Sequence, residues 1–443
     1  MRRDMVRSVA ALCAILAGTA AQAEIDYEVE TGVGHSSNIT RTSDAEVSET
    51  LASLGLNGTW RTQSPRVQAD VLADVSYVEY LDDTYDGEII GTADANFIFG
   101  IVPETFTWQV QDSFGQARAN PFEPVTPQNR ENVNYFTTGP DFRVRLGDQM
   151  ALQLYGRYSA TNYERSQLDG DRKSVGFGLF RALSAASRIG INGVADKSEF
   201  DAPTTPSYER RSAYFSYDLT AGRTQVSAQV GHSWLQVDGQ DSDGGALVNL
   251  RVTREISSAS SIVLSASQQF TDAAEALRAI SGGGGSLDTG GGAVAGGSGG
   301  GGGVTASSAP YEGRDVSASW QFAKRRTTAS LGATYNQSTY QTQTLLDRDR
   351  YAYYGNFSRQ LRPMLSLILT GQYSQEKFDT AGFESDDWMG MLQLSWRTSR
   401  HFGWRLSAEY YDRSTSNGIG EYVETRGMLY FTYTGGDSDG VSR

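Results

Sequence analysis

The sequence predicts an all-β fold, a transmembrane antiparallel up-and-down β-barrel of about 20 strands, with 16 to 20 as the range. Three observations predict this fold. Apolar and polar residues alternate along about twenty segments, and short and longer connections alternate between them. No run outside residues 1–23 approaches the roughly 18 apolar residues that a transmembrane helix needs. Because the mean hydropathy is −0.42, a helical membrane protein is excluded.

The first 23 residues are typical of a secretory signal, so they are set aside from the fold. Arginines precede an apolar run over residues 8–20, and Ala21-Gln22-Ala23 is a small-x-small cleavage site. Cys13 lies inside the apolar run, which disfavours a lipoprotein signal. The mature chain would begin at Glu24 without any cysteine, which excludes a disulfide framework, a thiolate metal site and a thiol nucleophile.

The formal charge of the whole chain is −14. Removing residues 1–23, which hold three arginines and one aspartate, makes the charge two units more negative. Nucleic acid is a poor partner for such a surface. The expected surroundings are the lipids of a cell outer membrane.

The first strand, within residues 24–33, shows the alternation clearly. Ile25, Tyr27 and Val29 lie on one side, and acidic residues lie on the other. The same period of two recurs at residues 52–60, 67–77, 89–101, 106–110, 150–158, 226–234, 365–373, 404–410 and 427–433. Aromatic residues near strand ends are predicted to form girdles at headgroup depth: Trp60, Tyr77, Trp234, Tyr373 and Tyr410.

The connections predict the orientation of the barrel. Short turns are expected at 63–66, 103–105, 147–149, 221–223, 323–326 and 361–363, and longer links at 35–46, 116–131, 201–207, 281–310 and 412–420. With the N-terminus on the periplasmic side, every long link lies on the extracellular side of the membrane. Pro140 is the one proline placed away from a connection, and it predicts a bulge.

Residues 281–310 form the one low-complexity segment, predicted to be an extracellular loop, with 14 glycines among residues 282–303. Such a loop can fold into the lumen or hang outward as a flexible tether, and its composition favours the tether. The barrel is predicted to span residues 24–433. Its last strand is similar to the insertion signal of such barrels, and a polar tail follows at 434–443.

A barrel of this size has a water-filled or plugged lumen, so function is sought on the inner face. The residues that alternation places on the inner face include a group of acidic side chains, here named the acidic wall, and a group of arginines, here named the basic wall. If the two walls face each other, they predict a transverse electric field across the lumen. The alternative is that these charges are incidental in a solvated lumen. The acidic wall is Glu24, Asp26, Glu28, Glu30, Asp70, Asp74 and Asp94, and the basic wall is Arg143, Arg145, Arg157, Arg210 and Arg251. Inward tyrosines that can stack on sugar rings, or pack within the lumen, are Tyr80, Tyr155, Tyr214, Tyr354, Tyr411 and Tyr430.

An enzymatic alternative depends on His35 and Ser37. The stretch 35–38 resembles the His-x-Ser-Asn pattern of outer-membrane phospholipases and lipid A deacylases. That resemblance implies a histidine that activates a serine for attack on an acyl ester. The other reading is a polar strand end. His232 and His401 are placed on the lipid face and in a periplasmic turn, so neither a metal site nor a cofactor is predicted.

A broader resemblance covers most of the mature chain. Residues 33–39, the strand that follows them and the Val- and Tyr-rich stretch 69–81 resemble the outer-membrane β-barrel porins associated with exopolysaccharide and PEP-CTERM systems, the EpsL-like proteins. The resemblance implies a channel or accessory protein for surface polysaccharide, with polysaccharide or export machinery as partners. A non-enzymatic channel for glycans or small hydrophilic solutes is therefore expected ahead of a lipid ester hydrolase and of a structural or adhesive barrel.

Overall fold

The computed structural model describes residues 23–64, 66–203, 205–281 and 304–436. These residues form twenty strands in one antiparallel sheet, in which each strand pairs with the next along the chain. β20 also pairs with β1, from Asp26 opposite Gly436 to Ser36 opposite Arg426, so the sheet closes on itself. The predicted fold class and the count of twenty strands are confirmed.

The strands of the first half are β1 Ala23–Ser36, β2 Glu49–Gln63, β3 Val67–Tyr80, β4 Glu88–Val102, β5 Phe106–Arg118, β6 Arg130–Arg145, β7 Met150–Tyr163, β8 Gly170–Ser184, β9 Ser187–Phe200 and β10 Tyr208–Ala221. Those of the second half are β11 Thr224–Val237, β12 Asp243–Ser257, β13 Ser260–Thr271, β14 Tyr311–Lys324, β15 Thr327–Tyr340, β16 Arg348–Arg362, β17 Leu365–Phe378, β18 Phe383–Arg397, β19 Phe402–Thr415 and β20 Tyr422–Gly436. One α-helix, α1 at Ala273–Ser281, follows β13, and a single 3₁₀ turn lies at Thr344–Leu346.

The connections alternate between the two rims as predicted. The turn rim holds connections of two to four residues, such as 103–105 and 222–223, together with both ends of the described barrel. The loop rim holds connections that are mostly longer, such as 37–48, 119–129 and 272–310. This arrangement is that of bacterial outer-membrane barrels, whose short turns face the periplasm.

The outer face of the barrel is apolar and exposed. Large apolar side chains such as Val175 at 63% and Phe215 at 68% exposure point away from the lumen. Side chains like these form a lipid-facing band, because exposure of so many of them to water would be unfavourable. Among the described residues, no helix is long and apolar enough to cross a membrane.

Two details of the strand boundaries differ from expectation. Pro140 does not mark a bulge, because β6 and β7 keep one register on either side of it, with Thr138 opposite Tyr158 and Asp141 opposite Tyr155. The missing N–H of proline interrupts the ladder without shifting it, and the Arg157 guanidinium donates to the free Pro140 carbonyl at 2.9 Å. β20 continues to Gly436, so the barrel extends three residues beyond the predicted end at Tyr433.

The predicted signal at 1–23 falls almost wholly outside the described residues, as does the glycine-rich part of 281–310 at 282–303. Of the predicted tail 434–443, only the first three residues are described, and they belong to β20.

Candidate functional site in the lumen

The connection between β5 and β6, residues 119–129, folds across the mouth of the barrel and is named the cap loop here. At its base Arg118 forms an ion pair with Glu376 of β17, in which Nη2 donates to both carboxylate oxygens, at 3.0 and 2.9 Å. β17 lies eight strands from β5 around the closed sheet. The cap loop therefore bridges distant parts of the wall.

Glu376 is the shared acceptor of an arginine cluster. Arg348 lies 3.3 Å and Arg350 lies 3.5 Å from its Oε1, in addition to the Arg118 pair. Glu376 and Arg118 are only 2% and 3% exposed. A carboxylate buried at this depth is stable only when guanidinium groups surround it, since burial of an unpaired charge is very unfavourable.

The tip of the cap loop is held by an aromatic anchor and by carbonyl groups. The Phe122 ring lies 4.9 Å from the Phe378 ring and 5.4 Å from the Phe383 ring, centroid to centroid. Arg41 donates to the Val125 carbonyl at 2.6 Å. Within the loop, the Asn129 amide donates to the Asn120 carbonyl at 2.8 Å, which fixes the loop's own shape.

Helix α1, named the lumen helix here, packs on the inner wall. Leu277 and Ala273 are buried against Ala117 and Val133, with Val304 in the same cluster. Asp272 caps the helix, since the Glu275 amide donates to its Oδ1 at 2.9 Å. Sequence reasoning missed this helix, although the spacing Asp-x-x-Glu at 272–275 is the pattern of a capping box.

Carboxylates attach the lumen helix to arginines of the wall. Glu275 accepts two hydrogen bonds from Arg210 of β10, at 2.9 and 2.8 Å, and lies 2.6 Å from Arg172 of β8. Asp272 accepts from Arg172 and from the Tyr208 hydroxyl. Burial alone raises the pKa of the Glu275 carboxyl, but Arg210 and Arg172 outweigh it and hold that pKa well below its ordinary value.

The chain that returns to β14 is also inside the barrel. Val304, Thr305 and Ala309 are buried, and Thr305 forms a parallel bridge with Arg118. The expectation that residues 281–310 hang outward is therefore wrong for the described ends of this connection, since 272–281 and 304–310 contact the inner wall. The composition of 282–303 suggested a flexible tether. The segments on either side of it, 272–281 and 304–310, contain apolar and acidic residues that pack against and pair with the inner wall.

The lumen is wide enough to hold these segments and still leave space. Twenty strands about 4.8 Å apart and tilted by about 40° give a backbone diameter of about 40 Å. An α-helix with its side chains is about 10–12 Å wide. The lumen helix therefore narrows one side of the lumen without filling it.

The predicted acidic wall points inward but is partly neutralised. Arg405 of β19 donates to Glu30 at 2.6 Å and also pairs with Glu28. Asp74 is opposite Asn57, which is opposite Glu28, so it lies beside the same group. Sequence reasoning did not single out Arg405, although the outward residues 404 and 406 place it on the inner face. Its partners are on β1, which it reaches only because β20 closes on β1.

The other acidic positions are distributed along the barrel. Asp70 forms an exposed pair with Arg61 at 3.2 Å near the turn rim, and Glu24 is exposed at the same rim. Asp26 lies next to them on β1. Asp94 is buried and accepts from Ser113 at 2.6 Å.

The predicted basic wall does not form one surface. Arg143, Arg145 and Arg157 lie on β6 and β7, close to the acidic strands rather than opposite them. Arg157 pairs with Asp141, and Arg145 pairs with Glu104 at 2.8 Å near the turn rim. A transverse field between facing walls is therefore not provided by these three arginines.

The remaining two predicted arginines lie across the barrel from β1 and β2, but only one faces open lumen. Arg210 is held under the lumen helix, where it also contacts Asp196 at 2.9 Å. Arg251 of β12 points inward without an ion-pair partner among the described residues.

The six predicted tyrosines all lie on the inner face, but they differ in exposure. Tyr80, Tyr411 and Tyr430 are 4%, 6% and 1% exposed, so their rings are structural and offer no surface to a solute. Tyr155, Tyr214 and Tyr354 are partly exposed. The Tyr155 ring occupies the space beside Gly176 where a Cβ would lie, at 2.2 Å from its Cζ, and Tyr354 lies over Gly332 in the same way.

Tyr155 and Tyr214 flank a strip of small and polar residues on β8 and β9. In register, Tyr155 is opposite Gly176, and Tyr214 is opposite Asn192, which is itself opposite Gly178. The glycines make the strip shallow, and the Asn192 amide, which donates to Ser216 at 2.9 Å, makes it polar. Two rings beside a polar floor can bind a sugar by stacking and hydrogen bonding.

The predicted hydrolase pair lies at the loop rim. His35 is exposed on the outer face, and the Ser37 hydroxyl oxygen accepts the Thr425 amide at 2.9 Å. Among the described residues no hydrogen bond joins His35 to Ser37. A base that activates a nucleophile requires such a bond, so this geometry gives the hydrolase hypothesis no support.

Within the described part of the chain, no group of three or more His, Cys, Asp or Glu residues is arranged to hold a metal ion.

No protein-family model matches this chain, and no curated protein matches its sequence. Its structure is similar to the siderophore receptor PirA from Pseudomonas aeruginosa, with 9% identity over 93% of this chain and 80% of that chain, at a TM-score of 0.47. The FrpB iron transporter from Neisseria meningitidis has 8% identity over 93% and 82%, at 0.47. OccK2 from Pseudomonas aeruginosa, solved with glucuronate, has 11% identity over 93% and 98%, at 0.38. At such identities and scores, these similarities concern the fold alone and carry no argument about the function of this chain.

Proposed function

We propose that this protein is an outer-membrane channel for hydrophilic solutes, narrowed near the loop rim by the cap loop and the lumen helix. The observation that supports it best is the closed 20-stranded wall, whose outer face is apolar and whose inner face bears paired charges. At about 40 Å across the backbone, wall side chains cannot fill the interior, and among the described residues the lumen helix is too narrow to fill it.

Electrical recording on the refolded chain tests the channel directly. The expected result is discrete conductance steps in a planar bilayer. A matched pair of variants is Gln229→Trp, whose larger ring on the lumen side of β11 should reduce each step, and Val230→Trp, which lies on the lipid face and should leave it unchanged. A folded barrel that conducts nothing over a range of voltages would contradict the channel.

We further propose that the solutes are glycans, including surface polysaccharide passed to or from export machinery. The support is the strip between Tyr155 and Tyr214, with its polar floor at Asn192. Aromatic faces bind the apolar faces of sugar rings, while amides bind their hydroxyls. The resemblance to exopolysaccharide-associated barrels points to the same class.

Oligosaccharides added to the recording chamber test this finer proposal. They should interrupt the current of the wild type and interrupt it much less in Tyr155→Ala/Tyr214→Ala. Tyr353→Ala, a change of the same type on the lipid face, is the control. Equal interruption of the current in all three proteins would contradict glycan binding between Tyr155 and Tyr214 without contradicting the channel. Unchanged surface polysaccharide in a deletion strain would argue against a role in its export.

A further inference from the structure

One part of the lipid-facing surface is polar. Asp112 lies on the outer face of β5, between Val110 and Phe114 along the strand and opposite Ala95 and Phe136 on the neighbouring strands. Its orientation follows from that of Val110, which packs in the outer-face cluster with Phe97 and Trp60. The carboxylate is thus surrounded by apolar residues of the lipid-facing band.

A carboxamide accompanies this carboxylate. The Asn134 amide, also outward on β6, donates to Asp112 Oδ1 at 2.6 Å. Towards the loop rim, Gln116 is buried and donates to the Ile89 carbonyl at 3.2 Å, so it does not belong to this exposed group. The outer face of β5 and β6 therefore bears a neighbouring carboxylate and amide, here named the polar stripe: Asp112 and Asn134.

Lipid tails cannot hydrogen bond to these groups. A charged side chain on the lipid face of a barrel is destabilising, and a single hydrogen bond leaves the second Asp112 oxygen and the remaining Asn134 groups unsatisfied against hydrocarbon. On the adjacent β4, the outward residues Ala93 and Ala95 are small. Small residues beside polar ones let another protein surface approach closely within a membrane.

We propose that the polar stripe, with Ala93 and Ala95 beside it, is a lateral interface with a second copy of this chain. The chemistry of the stripe is self-complementary, because each copy offers a carboxylate acceptor at Asp112 and an amide donor at Asn134. A two-fold axis places the acceptor of one copy opposite the donor of the other.

Site-specific crosslinking tests this interface. Cys13 is the single cysteine of the sequence and lies in the predicted signal, so an engineered cysteine is the only thiol of protein refolded from Glu24 onwards. In lipid vesicles, a short bismaleimide should join two copies of Ala93→Cys, on the outer face of β4. It should not join two copies of Leu331→Cys, an outward control on β15, nine strands away around the closed sheet.

Substitution of the polar groups tests the chemistry. Asp112→Leu in the Ala93→Cys background should lower the crosslinked fraction about tenfold, as expected for the loss of a charge-assisted hydrogen bond. If that variant does not fold, Asn134→Leu and Asp112→Asn carry the test. Light scattering on detergent-solubilised wild type should give at least a dimer mass. A monomer, equal crosslinking at Leu331→Cys, or a crosslinked fraction unchanged by these substitutions would overturn the proposal.

Discussion

The cap loop and the lumen helix both fold into the barrel, but they are held by opposite arrangements of charge. At the base of the cap loop an arginine, Arg118, meets a carboxylate of the wall, Glu376. In the lumen helix the carboxylate of Glu275 meets arginines of the wall, Arg210 and Arg172. The two arrangements are expected to differ in stability, because at the cap loop a single wall carboxylate, Glu376, is the shared partner of several arginines.

The consequence for stability follows from the partners left behind. Loss of Glu376 leaves Arg118, Arg348 and Arg350 close together without their common acceptor. Loss of the helix carboxylates leaves Arg210 with Asp196 as a remaining partner. We therefore expect the cap-loop cluster to be part of the folded wall, and the lumen helix to be the segment that can leave it.

The largest effect is expected for Glu376→Gln. Removing one member of a buried ion cluster costs about 3–5 kcal/mol of the free energy of unfolding, measured by urea unfolding in lipid vesicles. Glu104→Gln removes an exposed pair with Arg145 and should have little effect. Equal urea midpoints for the two variants would contradict this expectation, since the cap-loop cluster would then contribute no more to the free energy of unfolding than a surface pair.

The next effect concerns the lumen helix. Asp272→Asn/Glu275→Gln should increase single-channel conductance, because the helix loses its attachment to Arg172 and Arg210 and no longer narrows the lumen. The free energy of unfolding should fall less than in Glu376→Gln, by about 1–3 kcal/mol. Glu199→Gln/Glu209→Gln on the outer face is the control. Unchanged conductance would mean that the helix does not border the path of the ions.

A smaller effect is expected for Phe122→Ala in the cap loop. The ring is only partly buried against Phe378 and Phe383, so its loss should cost about 1–2 kcal/mol. Channel noise should rise because the tip of the loop loses its anchor while its base stays paired. Steady currents identical to the wild type would assign the anchoring to the arginine contacts alone.

The smallest effect is expected from moderate acid. The pKa of Glu275 lies below its ordinary value of 4.5 in the docked helix, so its carboxylate stabilises docking fully above pH 4.5. That stabilisation is lost only as pH falls through the lowered pKa. The ratio of wild-type conductance to that of Asp272→Asn/Glu275→Gln should stay constant from pH 7 to pH 5 and approach one only in strong acid. A ratio that reaches one near pH 6 would contradict the ion-pair attachment.

Much of the wall was predictable from residue order, and less of the site was. Alternation placed Glu30, Arg157 and Tyr155 inward and Ile25 outward, as observed. The same alternation could not tell an accessible tyrosine from a buried one: Tyr155 and Tyr430 share inward parity, yet Tyr430 is 1% exposed. The burial of a side chain on the inner face depends on which connections enter the lumen. The capping pattern at 272–275 was the one local indication in the sequence that the connection after β13 contains a helix.

The sequence by itself determined the strands, the face of most side chains and the rim of each connection, because the pleat repeats every two residues and acts locally. Only the tertiary structure decided which charges meet. Glu30 and Arg405 are paired because β20 closes on β1, and Arg118 reaches Glu376 because the cap loop crosses the barrel. Closure, shear and the path of a loop through the lumen are properties of the whole sheet, and the alternation of residues along a single strand contains no record of them.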